Sequence, residues 1–369
     1  MDSYLQRLLA GDGHEKEKFL QRLKDDKNWS AVSFIDELLP VLLFEANLTY
    51  GNFHQVKMAV FLRSLARKNK LSRASELAVL NLFLTEVRER NWLDVRAENK
   101  YFSQSVDEPV RMMLEELAEK NAHNAFYYAL QAYEEKADYL QDLLLSLGGV
   151  YGPENLGHSL SCFFPVFEEL VNTRHPAAES AILSHLLYLN RYEIPPDFAP
   201  DDYALDSLPE NAMRRAASGQ GIINLHHMIT LVIYRLWERA SFHSDNFPLP
   251  YKIYYHKRIE DKAISQERLE RVKEDINLKL PENFADFYEC FSYEDVEYTT
   301  KMIRGLAEKN LSRLQDWIIR LYALNYDKEK WNPHYYTGIY LALRLKEEDI
   351  LEDRLAGEMA LDQAVEYYL

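Results

Sequence analysis

Residues 221–237 read GIINLHHMITLVIYRLW, and this stretch decides the fold. No charge interrupts it until Arg235, and apolar residues fall on every side of a 3.6-residue period. Ile223, Thr230, Leu231 and Tyr234 share the face of His227, while Ile222, Ile229 and Ile233 share that of His226. A helix that is apolar all round is wrapped by other helices. The segment therefore predicts a central helix, from about Gly221 to Ala240, in an all-α, many-helix array around an internal cavity, with little or no sheet. The uncharged part is too short to span a bilayer.

Outward from this centre the pattern stays helical. FIDELLPVLLFEANL (34–48) is apolar, and Pro40 predicts a break or kink in it. FHQVKMAVFLRSLARKN (53–69) places His54, Met58, Phe61 and Leu65 on one face. Helices are expected over 72–96 and 109–147, then over 158–171 after the glycine-containing LGGVYGPENLG (147–157), then over 177–192. Pro165 is expected to bend the helix over 158–171. Pro195, Pro196, Pro200 and Pro209, with Asp197, Asp201 and Asp202, make 193–220 the candidate loop or linker. The chain reads as one helical domain over 1–369, with two lobes divided near 193–220 as the alternative. The pattern L-A-x-K-N recurs at the ends of LRSLARKN (62–69), LEELAEKN (114–121) and IRGLAEKN (303–310). Unequal spacing rules out a solenoid repeat; each copy predicts a helix C-terminus with Asn in the left-handed position.

Composition narrows the class. Only 12 of 369 residues are Gly and 47% are hydrophobic, which favours long helices and a large core. The net charge of −16 argues against nucleic acid and against an anionic membrane surface. Two cysteines, Cys162 and Cys290, do not make a disulfide framework. The N-terminal MDSYLQRLLAGDGHEKEK has no signal-peptide pattern, so a cytoplasmic chain is expected. Gly219 and Gly221 follow no predicted strand, which excludes a Rossmann-type flavin or nicotinamide site. H-E-x-x-H, C-x-x-C, Walker A and G-x-S-x-G are all missing.

What remains is histidine on apolar helix faces: His54, His158 and His227, with His226 and His185 beside them. Singly, such a residue is a core histidine bonded to a carbonyl, a Tyr or water. Brought together, neutral imidazoles could bind a transition metal, or act as acid–base groups on an aromatic substrate walled by Tyr and Phe.

The order of segments resembles the questin oxidase-like family. GNFHQVKMAVFL (51–62) is similar to its histidine-led first helix, with His54 at the histidine. GHSLSCFF (157–164) followed by ESAILSHLLYLNRY (179–192) is similar to its middle stretch, with His158, Tyr188 and Tyr192 in place. HMITLVIYR (227–235) matches a third block through His227, Thr230 and Arg235. EDVEYTTK (294–301) echoes the last, with Asp295 where the family has histidine. The chain departs from the pattern at Gln55, where glycine is usual, and lacks a histidine near Pro165. The resemblance covers about residues 45–310. It implies a flavin-independent oxidoreductase that cleaves an anthraquinone-type ring by Baeyer–Villiger oxygen insertion. His54, His158 and His227 would then be base and oxyanion-stabilising groups, and Arg235 would face a phenolate. Tyr188, Tyr192, Thr230 and Tyr234 would line the substrate, and any metal would fall to His54, His158, His227 and Asp295. The competing expectation is a non-enzymatic acidic scaffold that binds a basic partner, drawn from the charge and the missing cofactor motifs.

Overall fold

The computed structural model describes residues 13–26, 28–43, 53–68, 70–87, 106–205, 207–291, 295–325, 332–351 and 353–369. Among them all regular structure is helical, with no strand. The helices are α1 (Gly13–Asp25), α2 (Ala31–Leu42), α3 (Phe53–Arg67), α4 (Arg73–Val87), α5 (Pro109–Ala118), α6 (Ala122–Tyr151), α7 (His158–Val166) and α8 (Ala178–Leu189). They continue as α9 (Ala212–Ala216), α10 (Gly221–Glu238), α11 (Tyr251–Arg258), α12 (Gln266–Lys273), α13 (Phe284–Cys290), α14 (Val296–Leu324), α15 (His334–Glu347) and α16 (Arg354–Tyr368). None of the described helices is long and apolar enough to cross a membrane.

The stretch of unbroken apolar character is indeed central. Helix α10 is buried from Leu225 to Tyr234, and it packs on α7 and α15. Helix α3 packs on α7 in turn. The set closes where the Phe61 ring of α3 lies 4.3 Å from the Tyr340 ring of α15, and where the Thr337 hydroxyl of α15 meets the Met58 sulfur at 4.0 Å. Four helices thus surround one volume. Buried apolar residues from Phe34 to Val365 form one contiguous core around them, and it includes Ile194, Phe198 and Leu208 of the proline-rich 193–220 segment. That segment also holds a 3-10 turn, Pro200–Tyr203, and the short α9.

Helix breaks fall partly where the sequence points. Helix α2 carries through Pro40 and ends two residues later, so no kink separates two helices there. Helix α7 likewise passes Pro165, and the chain then widens into a π turn, Phe167–Val171, closed by the Asn172 N–H to the Phe167 carbonyl at 2.8 Å. Its Glu169 is buried between Arg63 and Arg67 of α3, each at 3.0 Å. The span 109–147 is two helices, α5 and α6, and the second continues to Tyr151. Of the span 72–96, residues 73–87 are described as α4, and 88–96 lie outside the described residues.

The L-A-x-K-N segments end helices differently from the expectation. In 114–121 it is Lys120 that takes the left-handed conformation (φ 63°), while Asn121 accepts from the Asn124 N–H and so caps the next helix. In 303–310 Asn310 breaks α14 (φ −162°, ψ 85°) and accepts from the Arg313 N–H at 3.0 Å. Asn starts the following helix because its short amide reaches an otherwise unpaired N–H of the first turn. The third copy's Asn69 lies outside the described residues.

Candidate functional site

Each of the four central helices contributes one imidazole: His54 from α3, His158 from α7, His226 from α10 and His334 from α15. His158 is placed by a tight turn. Leu156 (φ 58°) and Gly157 (φ 80°) both take left-handed backbone, and a Cβ on Gly157 would stand 2.0 Å from the Thr230 Oγ1 of α10. Only glycine lets the start of α7 approach α10 this closely. Gly157→Ala should therefore lower stability by about 2–3 kcal/mol through strain and steric overlap. Chemical denaturation of parent and variant measures this, and an unchanged midpoint would contradict the close approach.

Three rings have one nitrogen tied to an acceptor. The Nδ1 of His158 donates to the Asn155 carbonyl at 2.6 Å, and that of His226 to the Ile222 carbonyl at 2.7 Å. The Nδ1 of His334 donates to the Asn332 Oδ1 at 2.8 Å, and the same oxygen receives the His334 N–H at 3.1 Å. A carbonyl cannot donate, so the proton of each neutral ring sits on Nδ1 and the lone pair on Nε2. Those lone pairs converge. The Nε2 atoms of His158 and His226 stand 3.2 Å apart. The His54 ring lies 4.4 Å from that of His334 and 5.1 Å from that of His158, and the His226 ring lies 4.4 Å from that of His334. One ring nitrogen from each of His54, His158 and His334 lies within 4.8 Å of the others. Neither nitrogen of His54 and not the Nε2 of His334 has a hydrogen-bond partner among the described residues.

Protonation does not resolve this crowding. Burial pulls His158 down to about 3, with repulsion from His226 adding to it, and pulls His226 down to about 4. Burial also holds His54 and His334 well below the usual histidine range, helped by Lys57 for the first and His226 for the second. Lys57, one turn along α3 from His54, is itself fully buried, which lowers its ammonium below the usual lysine range. Neutral imidazoles with inward lone pairs are what a transition metal takes. Two nitrogens at roughly 2.0–2.1 Å from a tetrahedral ion are about 3.3 Å apart, close to the 3.2 Å between His158 and His226. The tied Nδ1 atoms match the outer hydrogen bonds that orient metal-binding histidines.

The structure brings together two of the three histidines expected to meet. His54 and His158 are in the cluster. His227 is not: its Nδ1 faces the Tyr254 hydroxyl at 3.1 Å, and its neighbour His226 takes the inward place. Successive residues on a helix point about 100° apart, so only one of the two can face the centre. His334 was not anticipated from the sequence. Asp295 caps α14 by accepting from the Tyr298 N–H at 3.0 Å, away from the cluster. Arg235 pairs with Glu238 at 2.9 Å, and the Tyr234 hydroxyl donates to the Pro250 carbonyl. The Thr230 hydroxyl bonds the His226 carbonyl at 2.8 Å. Tyr188 and Tyr192 sit one step behind His158, because the side-chain amide of Asn155 binds both hydroxyls. His185 is stacked 4.3 Å from Phe163, with neither nitrogen hydrogen-bonded among the described residues. Two surface clefts, of about 640 and 490 Å³, are lined by other residues than the histidine cluster.

Fold and site together define an all-helical protein with a buried four-histidine centre. Comparison with known protein families, with curated proteins and with solved structures finds no match to this chain.

Proposed function

We propose that the chain is a flavin-independent oxidoreductase that binds a redox-active transition metal through His54, His158, His226 and His334 and oxidises a phenolic aromatic molecule there. The observation that carries this reading is the pair of facing Nε2 lone pairs at 3.2 Å, inside a cluster too buried to protonate. Iron and copper are the redox-active ions that suit imidazole. Such an ion would supply a path for electrons between an electron-rich ring and dioxygen.

The protein's own groups favour a substrate bound as phenolate. His158 and His334 are the first residues of α7 and α15, and His54 is the second of α3, so three helix N-termini stand at the cluster. Helix N-termini carry partial positive charge and attract anions. The buried Lys57 adds to that potential. Four neutral imidazoles bring no negative charge to a bound metal cation, so an anionic partner completes the charge balance. Burial of the rings keeps bulk water from competing. The resemblance to questin oxidase-like proteins points to the same substrate class, a hydroxylated anthraquinone or similar polyketide.

The test is metal loading followed by substrate addition. Purified chain is stripped, reconstituted with Fe(II) or Cu(II), dialysed and assayed for metal. About one equivalent should remain, and a polyhydroxyanthraquinone should add a phenolate-to-metal absorption band and stimulate oxygen uptake. Failure to retain either ion would end the metal reading. Retention without oxygen uptake or a new band on any phenolic probe would end the oxidoreductase reading.

A further inference from the structure

We infer that the protein has a second ligand site, built on the Asp142–His243 pair in the larger surface cleft, which takes a neutral aryl alcohol or phenol through its hydroxyl group. The cleft, of about 640 Å³, lies between α6, the residues after the π turn, and the loop after α10. Helix α6 is broken at Lys136 (φ −148°, ψ 66°), and Lys136 lines the opening.

Asp142 is fully buried and accepts three hydrogen bonds: from the Trp237 indole at 2.7 Å, the His243 Nδ1 at 3.1 Å and the Ser244 N–H at 3.0 Å. Both carboxylate oxygens are thus committed, and in the neutral His243 ring the proton sits on Nδ1. The Nε2 of that neutral ring is an acceptor, and it makes no hydrogen bond among the described residues although His243 lines the cleft. The cleft lining holds a second acceptor. Gln141 lines the same cleft at 1% exposure, and its Oε1 has no hydrogen-bond partner among the described residues. A buried amide oxygen without a donor costs stability, so its retention here points to a donor that arrives with a ligand.

Two acceptors ask for a ligand that donates. The walls say what kind. Phe242 and Tyr133 are buried cleft residues, and Tyr139 leaves 42% of its surface open there. These rings offer an aromatic body stacking and edge contacts. The charges in the lining nearly cancel, with Glu134, Glu135 and Asp138 against Lys136 and Arg174, so the cleft does not select an ion. A hydroxyl on an aromatic ring supplies one donor, for one acceptor, together with the aromatic body that the walls call for. No proton leaves the ligand in this binding step; its O–H donates to Nε2 as it stands.

The experiment needs no metal and so stands apart from the reading of the histidine cluster. The full chain, labelled with ¹⁵N-histidine, is titrated with phenol and, separately, with anisole, which has the ring and no donor. His243 should show the Nδ1–H tautomer, and phenol should move its Nε2 resonance saturably. Anisole should bind at least about tenfold more weakly. Gln141→Leu should raise the melting temperature. His243→Gln should lose most of the phenol affinity. The inference is overturned if phenol fails to saturate, if anisole binds as well as phenol, or if His243→Gln binds phenol like the parent.

Discussion

Metal-free His54→Leu is expected to unfold at higher denaturant than the parent chain, and yet to bind metal at least about 100-fold more weakly. The two effects have one cause. His54 is buried at 1% exposure with neither ring nitrogen hydrogen-bonded among the described residues, and Lys57 and three other imidazoles surround it. Leucine fills a similar volume without leaving buried polar atoms unpaired, so the metal-free fold should gain about 1–3 kcal/mol. The same change removes one of the three imidazoles, His54, His158 and His334, whose ring nitrogens lie within 4.8 Å of one another, and a direct ligand matters at least as much as the outer hydrogen bonds whose loss costs about 10–100-fold. His185→Leu is the control. His185 is equally unpartnered but packs against Phe163 and Phe167, outside the cluster. It should gain stability and leave metal binding as it was. Equilibrium unfolding and a metal titration on the three proteins decide the matter. If His54→Leu lowers stability and binds metal like the parent, His54 is a packing residue.

Acidification should unfold the metal-free chain between pH 6.5 and 5. Burial holds the folded values of His158 and His185 at about 3 and of His226 at about 4. In the unfolded chain these rings titrate near 6.5. Below that pH the unfolded state takes up protons that the folded state refuses, so stability is full above pH 6.5 and falls as pH drops toward the folded values. By pH 5 each of the three has cost about 2 kcal/mol, roughly 6 kcal/mol in sum. That rivals the whole stability of an ordinary domain. His54, His227 and His334 shift in the same direction and deepen the loss. Bound metal should protect His158 and His226 and leave His185 exposed to the effect, moving the acid transition to lower pH. Denaturation midpoints at pH 7, 6 and 5, with and without metal, check this. A flat profile would mean that the rings are not buried in neutral form.

The helical architecture was legible in residues 221–237, because a short helix that is apolar on all sides has to be wrapped by other helices. The site was legible only in part. His54 and His158 stand out as polar rings in apolar runs. The choice between His226 and His227 was not available from periodicity, since both faces of α10 are apolar and both rings are buried. Block resemblance selected His227; packing of α7 against α10 turned His226 inward instead. His334 escaped notice because it opens its helix, in WNPHYYTG (331–338), where no apolar run precedes it. The signal that could have marked it is local: Asn332 and Pro333 are helix-start residues, and the first residue of a helix projects its side chain back past the end. Two of the four cluster histidines, His158 and His334, share that placement, and His54 is one residue further in.

The cluster joins parts of the chain that are remote in sequence, from position 54 near one end to position 334 near the other. An ion held by all four rings would act as a cross-link that closes the longest loops the chain possesses, and closing a long loop restricts the unfolded ensemble most. Such a site cannot exist on a partial chain. During synthesis the first three rings must wait until α15 has emerged, so metal capture would come last and would report that the whole fold is complete. Conversely, local opening of α3 or α15, each packed on one of the other two helices, would expose the centre and let metal exchange begin.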